Sequence, residues 1–156
     1  MKKIILLFIV TFTILSGSFS QNLVLRYGLY FTNNGNLFSG LYISYFKSGN
    51  KKQTVEIING KMNGKAQYYY ENGSLMETGS FTFNAKHGQW MRWDEAGHKI
   101  AEAFYLSGKK NGTWLVWDAN GTKRYEMLYA LGEKTGTWTM WDEKGRVSSE
   151  KNYNNL

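Results

Sequence analysis

The chain has 156 residues, room for one modest domain, and a formal net charge of +7. It contains 17 Gly, no Pro and no Cys, and 17% of its residues are aromatic. The missing cysteines exclude disulfides and a lipidated N-terminal Cys, and the many glycines and aromatics favour β structure with frequent turns.

Residues 1–20 read as a secretory signal peptide. Lys2 and Lys3 form a short positive region, and Ile4 to Leu15 is apolar apart from threonines. Ser18-Phe19-Ser20 then places small residues at both cleavage-recognition positions before Gln21. An apolar run of about 12 residues is too short to cross roughly 30 Å of hydrocarbon, so an uncleaved anchor is the lesser alternative. The expected location is therefore periplasmic or secreted, and the chain is not a lipoprotein. Loss of Lys2 and Lys3 lowers the 19 Lys+Arg to 17 against 12 Asp+Glu, a net charge of +5.

Residues 21–39 read as an N-terminal capping hairpin. Asn22 to Phe31 is expected as a strand, Asn33-Asn34-Gly35 as a turn, and Leu37 to Gly40 as the return. A shortened, degenerate unit is what the end of a repeat array needs.

From residue 40 a 24-residue unit repeats five times, the last copy truncated. Its reference glycine recurs at Gly40, Gly64, Gly88, Gly112 and Gly136. A second glycine follows nine residues on, at Gly49, Gly73, Gly97, Gly121 and Gly145. A third, at position twenty, is Gly60, Gly108 and Gly132, with Asn84 in the second unit, where Asn is the commonest substitute at positive φ. Each unit predicts a hairpin: a strand such as Thr113–Asp118, the turn Asp118-Ala119-Asn120-Gly121, a return strand over Thr122–Ala130, and a second turn from Leu131 to Gly136. Short strands joined by short turns pair antiparallel with their sequence neighbours. The expected fold is all-β: one elongated antiparallel meander sheet of tandem hairpins. Ten strands at about 4.8 Å each give a length of roughly 48 Å.

A single sheet has no second layer, so its rings must supply the packing. Position two holds Tyr42, Ala66, Trp90, Trp114 and Trp138. Position five holds Tyr45, Tyr69, Trp93, Trp117 and Trp141, and position seventeen holds Ile57, Phe81, Tyr105, Tyr129 and Tyr153. Strand alternation puts positions two and five on opposite faces and predicts one stacked ladder of rings on each. A bulge between them would put both ladders on one face.

The recurring Glu102, Tyr105, Gly108-Lys109, Asn111-Gly112, Trp114, Trp117-Asp118 and Gly121 resemble the MORN-repeat-variant family, which includes YwqK-like antitoxin proteins. The opening resembles that family's first hairpin at Gly28-Leu29-Tyr30, Asn34-Gly35, Phe38-Ser39-Gly40 and Tyr42. The likeness runs from about Tyr27 to Tyr153. It implies a protein-binding repeat scaffold, with an antitoxin or immunity role in some members; related MORN repeats are also linked to membranes and lipids.

No constellation for catalysis or cofactor binding is visible, and no nucleic-acid role is expected. His87 stands where Asn63 and Asn111 stand in other units, which points to turn structure rather than a metal ligand. Glu102, Glu126 and Glu150 share a position one unit apart, which suits cross-strand pairing with Lys or Arg better than acid–base work. The candidate binding surface is Trp93, Trp117, Trp141 and Tyr69 together with Lys61, Lys86, Lys109, Lys110 and Lys134. The rings act either as core or as an exposed stripe, and the lysines, which cluster at the inter-unit turns, either as a basic edge or as solvated turns. The expected partner is a protein; a membrane surface or a glycan is the alternative.

Overall fold

The computed structural model describes residues 22–154. The segment read as a signal peptide, its Ser20/Gln21 boundary and the last two residues of the chain lie outside them. The described residues are all-β and contain no helix. A small antiparallel hairpin, β1 (Val24–Arg26) and β2 (Leu29–Phe31), precedes the main sheet. The main sheet comprises β3 (Gly40–Tyr45), β4 (Lys51–Ile58), β5 (Lys61–Tyr69), β6 (Leu75–Thr82), β7 (Ala85–Trp93) and β8 (Lys99–Leu106). It continues through β9 (Lys109–Lys110), β10 (Gly112–Trp117), β11 (Lys123–Ala130), β12 (Glu133–Trp141) and β13 (Val147–Asn152). Neighbours in sequence are neighbours in the sheet except that β9 and β10 both pair with β8, and every pairing is antiparallel. The chain is the meander that its turn spacing dictates.

Two kinds of turn alternate. At the first, in the last three units, an Asp carboxylate gathers backbone donors: His98 N donates to Asp94 Oδ1 at 2.9 Å, Asn120 N and Thr122 N each to Asp118 Oδ1 at 3.0 Å, and Lys144 N and Arg146 N to Asp142 Oδ1 at 2.9 Å. The second is a two-residue turn whose residues both have positive φ, as a type I′ hairpin requires. The pairs are Asn59-Gly60, Phe83-Asn84, Ser107-Gly108 and Leu131-Gly132. Asn84 takes the glycine's place at φ +69°. Bulky Phe83 (φ +48°) and Leu131 (φ +50°) are held left-handed as well.

Each of these tips is bonded back to the start of its own hairpin. Gly60, Asn84, Gly108 and Gly132 donate to the carbonyls of Phe38, Met62, Lys86 and Lys110 at 2.7–2.9 Å. The Ser39, Asn63, His87 and Asn111 side chains accept from the first turn residue's N–H, that of Asn59, Phe83, Ser107 and Leu131, at 2.8, 3.3, 3.4 and 3.1 Å respectively. His87 thus does at its turn what Asn63 and Asn111 do at theirs.

The N-terminal segment differs from expectation. Asn22 to Phe31 is not one strand, because Tyr27 (φ +51°) and Gly28 (φ +74°) form a further two-residue turn within it. The resulting hairpin docks on the sheet: Tyr30 N donates to Gly60 O at 2.8 Å, and Asn84 Nδ2 donates to Gly28 O at 2.9 Å. Leu23, Tyr30 and Phe38 pack against the buried cluster Val55, Ile57, Ala66, Phe81 and Trp90. The sheet therefore has a partial second layer over one face of its N-terminal half, and its core lies there.

Candidate functional site

Bulges set which rings share a face. Each hairpin carries a register shift between positions four and five, as at Arg92/Trp93, Val116/Trp117 and Met140/Trp141. Up to that point the strands alternate, so Trp90 faces with Ala103 and Tyr105, while Met91 faces away with Glu102. Positions two and five lie on opposite faces.

The first face carries a continuous aromatic ladder. Ring centroids follow one another from Phe81 to Trp90 (5.0 Å), Tyr105 (6.4 Å), Trp114 (5.1 Å), Tyr129 (5.5 Å), Trp138 (5.1 Å) and Tyr153 (4.8 Å). Positions two and seventeen alternate along it, one per strand. Each tryptophan is also anchored by its indole N–H: Trp90 donates to Ser80 O (3.1 Å), Trp114 to Phe104 O (3.1 Å) and Trp138 to Leu128 O (2.9 Å). The tryptophans of the ladder lose cover toward its C-terminal end, although Tyr129 stays buried at 9% exposure. Trp90 is 2% exposed beneath the capping side, whereas Trp114, Trp138 and Tyr153 are half-buried.

The second face does not form the expected ladder. Among the described residues no ring pair joins Tyr69, Trp93, Trp117 or Trp141. Equivalent rings stand two strands apart, about 9.6 Å, beyond ring-contact range, and the strand between them pairs a non-aromatic residue with the ring: Leu75 with Tyr69, Lys99 with Trp93 and Lys123 with Trp117. Lysine covers these rings instead: Lys51 lies over Tyr69 (5.4 Å), Lys99 over Trp117 (4.4 Å) and Lys123 over Trp141 (4.3 Å). Trp93 is half-buried, and its carbonyl accepts from Tyr70 Oη at 2.9 Å. The lysines also pair with acids, Lys99 with Glu102 and Lys123 with Glu126, each at 2.8 Å. These pairs run along one strand at i,i+3 rather than across strands, because the bulge swings the lysine onto the glutamate's face. Lys99 comes first among the groups holding the Glu102 carboxyl below its ordinary range, with Gln89 adding a second hydrogen bond.

The lysines expected on one basic edge are divided. Lys61 and Lys109 are exposed at the inter-unit edge, with Lys61 5.8 Å from the Phe83 ring. Lys86, Lys110 and Lys134 turn onto the ladder face, over Trp90 (3.7 Å), Trp114 (4.3 Å) and Trp138 (4.6 Å), and over Tyr105, Tyr129 and Tyr153 at 4.8–5.4 Å. An open trough of about 680 Å³ lies between the last two lysines, lined by Lys110, Tyr129, Gly132, Glu133, Lys134 and Tyr153. Beside it Tyr125 and Met140, paired across β11 and β12, stay 37% and 40% exposed. The edge carries a different surface. At its turn tips Tyr27 is 101% exposed, Phe83 70% and Leu131 56%.

The half-buried phenols Tyr68 and Tyr105 pack against the buried cluster. Burial, then Glu77 and Tyr30, push the Tyr68 hydroxyl up to about 12, and burial with Glu77 raises Tyr105. Among the described residues no group of three or more His, Cys, Asp or Glu gathers closely enough to hold a metal ion. What this arrangement can do is hold a ligand against rings and ammonium groups.

A one-sheet meander of tandem hairpins, capped over one face of its N-terminal half and stitched by an aromatic ladder, defines a β-hairpin repeat protein. Three of its repeats match the model of the MORN repeat variant family, at residues 62–82, 110–130 and 134–155. No curated protein matches the chain. Among solved structures it is similar to a chain in the crystal structure of the GtfA/B complex bound to UDP and GlcNAc. That similarity has 12% identity and a TM-score of 0.30, over 81% of this chain and 27% of the other.

Proposed function

We propose that the protein is an exported, non-enzymatic repeat scaffold that binds another protein through the open half of its ladder face. The observation that carries this reading is the change in cover along one face. The same rings that are sealed at Trp90 emerge half-buried at Trp114, Trp138 and Tyr153, beside exposed Tyr125 and Met140. Regularly spaced rings with cationic neighbours are suited to a macromolecular ligand rather than an enclosed small molecule. An antitoxin or immunity role is the finer form of the proposal, and the family likeness supports it.

The test is affinity capture from envelope extract with the intact protein and with Trp138→Ala as control. Recovery of one partner at stoichiometric ratio by the wild type, reduced at least tenfold by the variant, is expected. Equal recovery by both places binding elsewhere. If the partner is toxic, co-expression with this chain restores growth under the immunity form of the proposal; unchanged toxicity refutes that form.

A second reading is favoured by a separate observation. Tyr27, Phe83 and Leu131 project bulky apolar groups from left-handed turn tips along one edge, with exposed Lys61 and Lys109 nearby. Such a row matches a membrane interface carrying anionic lipid. Vesicle flotation distinguishes it: Phe83→Ser with Leu131→Ser abolishes flotation if the edge inserts and leaves it unchanged if it does not.

A further inference from the structure

Charge is balanced on one face and not on the other. The second-face lysines Lys99 and Lys123 each meet a glutamate at 2.8 Å. On the ladder face Lys86 is likewise neutralised, by Glu77 at 2.9 Å. One unit later Ala101 stands where Glu77 stood, and in the next unit Tyr125 does. Lys110 and Lys134 therefore keep the same seat over the rings and have no ion pair among the described residues. Ring faces hold an ammonium in place without neutralising it. Glu133 lines the same trough without forming an ion pair with either lysine.

The spacing of the two lysines narrows the ligand. They hold the same position in successive units, two strands apart, which is about 9.6 Å. A polyproline II chain has three residues per turn at about 3.1 Å each and so presents the same side every 9.3 Å. A β-strand presents the same side every 6.6 Å or so, and two α-helical turns cover about 10.8 Å. Between the cations the trough floor is Tyr129, buried to 9% exposure, flanked by half-buried Trp138 and Tyr153. A ring-lined groove of this kind matches the apolar ridges of a polyproline II helix, which docks on aromatic grooves without paying the ordering entropy of a flexible chain.

We propose that the Lys110–Lys134 trough binds an acidic polyproline II segment of the partner, with Asp or Glu at every third residue. This rests on the protein-binding reading above and names the chemistry of its partner. The two carboxylates pair with the two ammonium groups, and the intervening residues lie on Tyr129, Tyr153 and their neighbours.

The experiment titrates the intact protein with a synthetic peptide of four Glu-Pro-Pro triplets, read by tryptophan fluorescence at low salt. A second peptide has the same composition with the glutamates adjacent. The triplet peptide is expected to bind at least tenfold tighter than the adjacent-glutamate peptide, and to weaken with salt. Ala101→Glu, which rebuilds the Glu77–Lys86 arrangement for Lys110 without removing a lysine, is expected to lower affinity at least fivefold. Lys110→Gln with Lys134→Gln is expected to abolish binding, and Lys99→Gln on the other face to leave it unchanged. Thermal melts of each variant separate lost binding from lost fold. Equal binding of the two peptides overturns the proposal, as does full binding by folded Ala101→Glu and double-Gln variants. Tighter binding of an oligogalacturonate, or of phosphatidylglycerol vesicles, to the same lysines also overturns it. Undiminished partner capture by the double-Gln variant refutes the trough and leaves the scaffold reading standing. Peptide binding without any partner capture refutes the scaffold reading and leaves the trough.

Discussion

Gly79→Ala is the sharpest test of how the ladder is built. Gly79 needs no special backbone conformation; it is small because a Cβ there would fall inside the indole of Trp90, against Cδ2, Cε2 and Cγ. Trp90 has little room to yield. It is 2% exposed, touches Phe81 and Tyr105, and is tied to Ser80 O through its N–H. Overpacking of a tight core costs about 1–3 kcal/mol, and displacing the indole hydrogen bond adds about 1 kcal/mol. The expected loss is about 3 kcal/mol, a fall in Tm of roughly 10 °C for a domain of this size. The repeat itself supplies the compensating change, since one unit earlier Val55 faces Ala66 in the equivalent pair. Gly79→Val with Trp90→Ala should therefore cost at least 1 kcal/mol less than the sum of the single changes. Urea unfolding of the four proteins in the cycle measures this. A Gly79→Ala loss under 0.5 kcal/mol, or strict additivity in the cycle, would refute the volume argument.

Three further outcomes are expected. Leu131→Asn relieves a bulky residue at φ +50° and should stabilise by about 1 kcal/mol in urea titration, because Asn tolerates the left-handed region. Ser44→Ala removes an Oγ that is buried without a hydrogen-bond partner and should raise stability by up to about 1 kcal/mol. The turn aspartates give the acid response. Asp94 and Asp142 are held below the ordinary range first by the backbone N–H groups of His98 and Arg146. Desolvation opposes the shift at Asp118, but the N–H groups of Thr122 and Asn120 and the Arg124 guanidinium outweigh it. Groups with lowered folded pKa stabilise above the unfolded value, about 3.9, and lose that contribution as pH falls through the folded value. Replacing all three by Asn should flatten the decline in Tm below pH 4; an unchanged acid limb would show that these turns are not its source.

The architecture was legible because the glycines report backbone geometry directly. A 24-residue period with positive-φ positions at fixed offsets leaves a hairpin meander as the simple solution, and Asn84 could be recognised as a glycine substitute on conformational grounds alone. The ladder was only half legible. Positions two and five were read as equivalent stacks, but ring contact needs an aromatic on every strand of a face, and position seventeen supplies it on one face only. The signal lay in the sequence as Phe81, Tyr105, Tyr129 and Tyr153, on the strand between successive tryptophans. The division of lysines was not legible. Whether a lysine at a turn points to solvent or folds over a ring depends on the bulge and on the ring beyond it, and neither is visible in the local residue pattern. The tight turn at Tyr27-Gly28 was missed for a related reason: a bulky tyrosine at positive φ carries no turn signal of its own.

Under the proposed function, stability and binding draw on the same residues, and the molecule separates them along its length rather than between its faces. At the N-terminal end the capping hairpin covers the ladder, Trp90 is sealed, and Glu77 neutralises Lys86. That end is complete without a ligand. Toward the C-terminal end the ladder continues with the same ring spacing and anchored indoles, so the scaffold stays rigid. What it lacks there is the cover and the counter-charge, at positions where earlier units show that both can be supplied. A repeat that kept Glu at position thirteen would have paired each of these lysines internally; replacing it by Ala101 and Tyr125 leaves Lys110 and Lys134 fixed in place with their charge unspent. Preorganised cations over half-open rings cost the fold little and offer a ligand its contacts without further ordering.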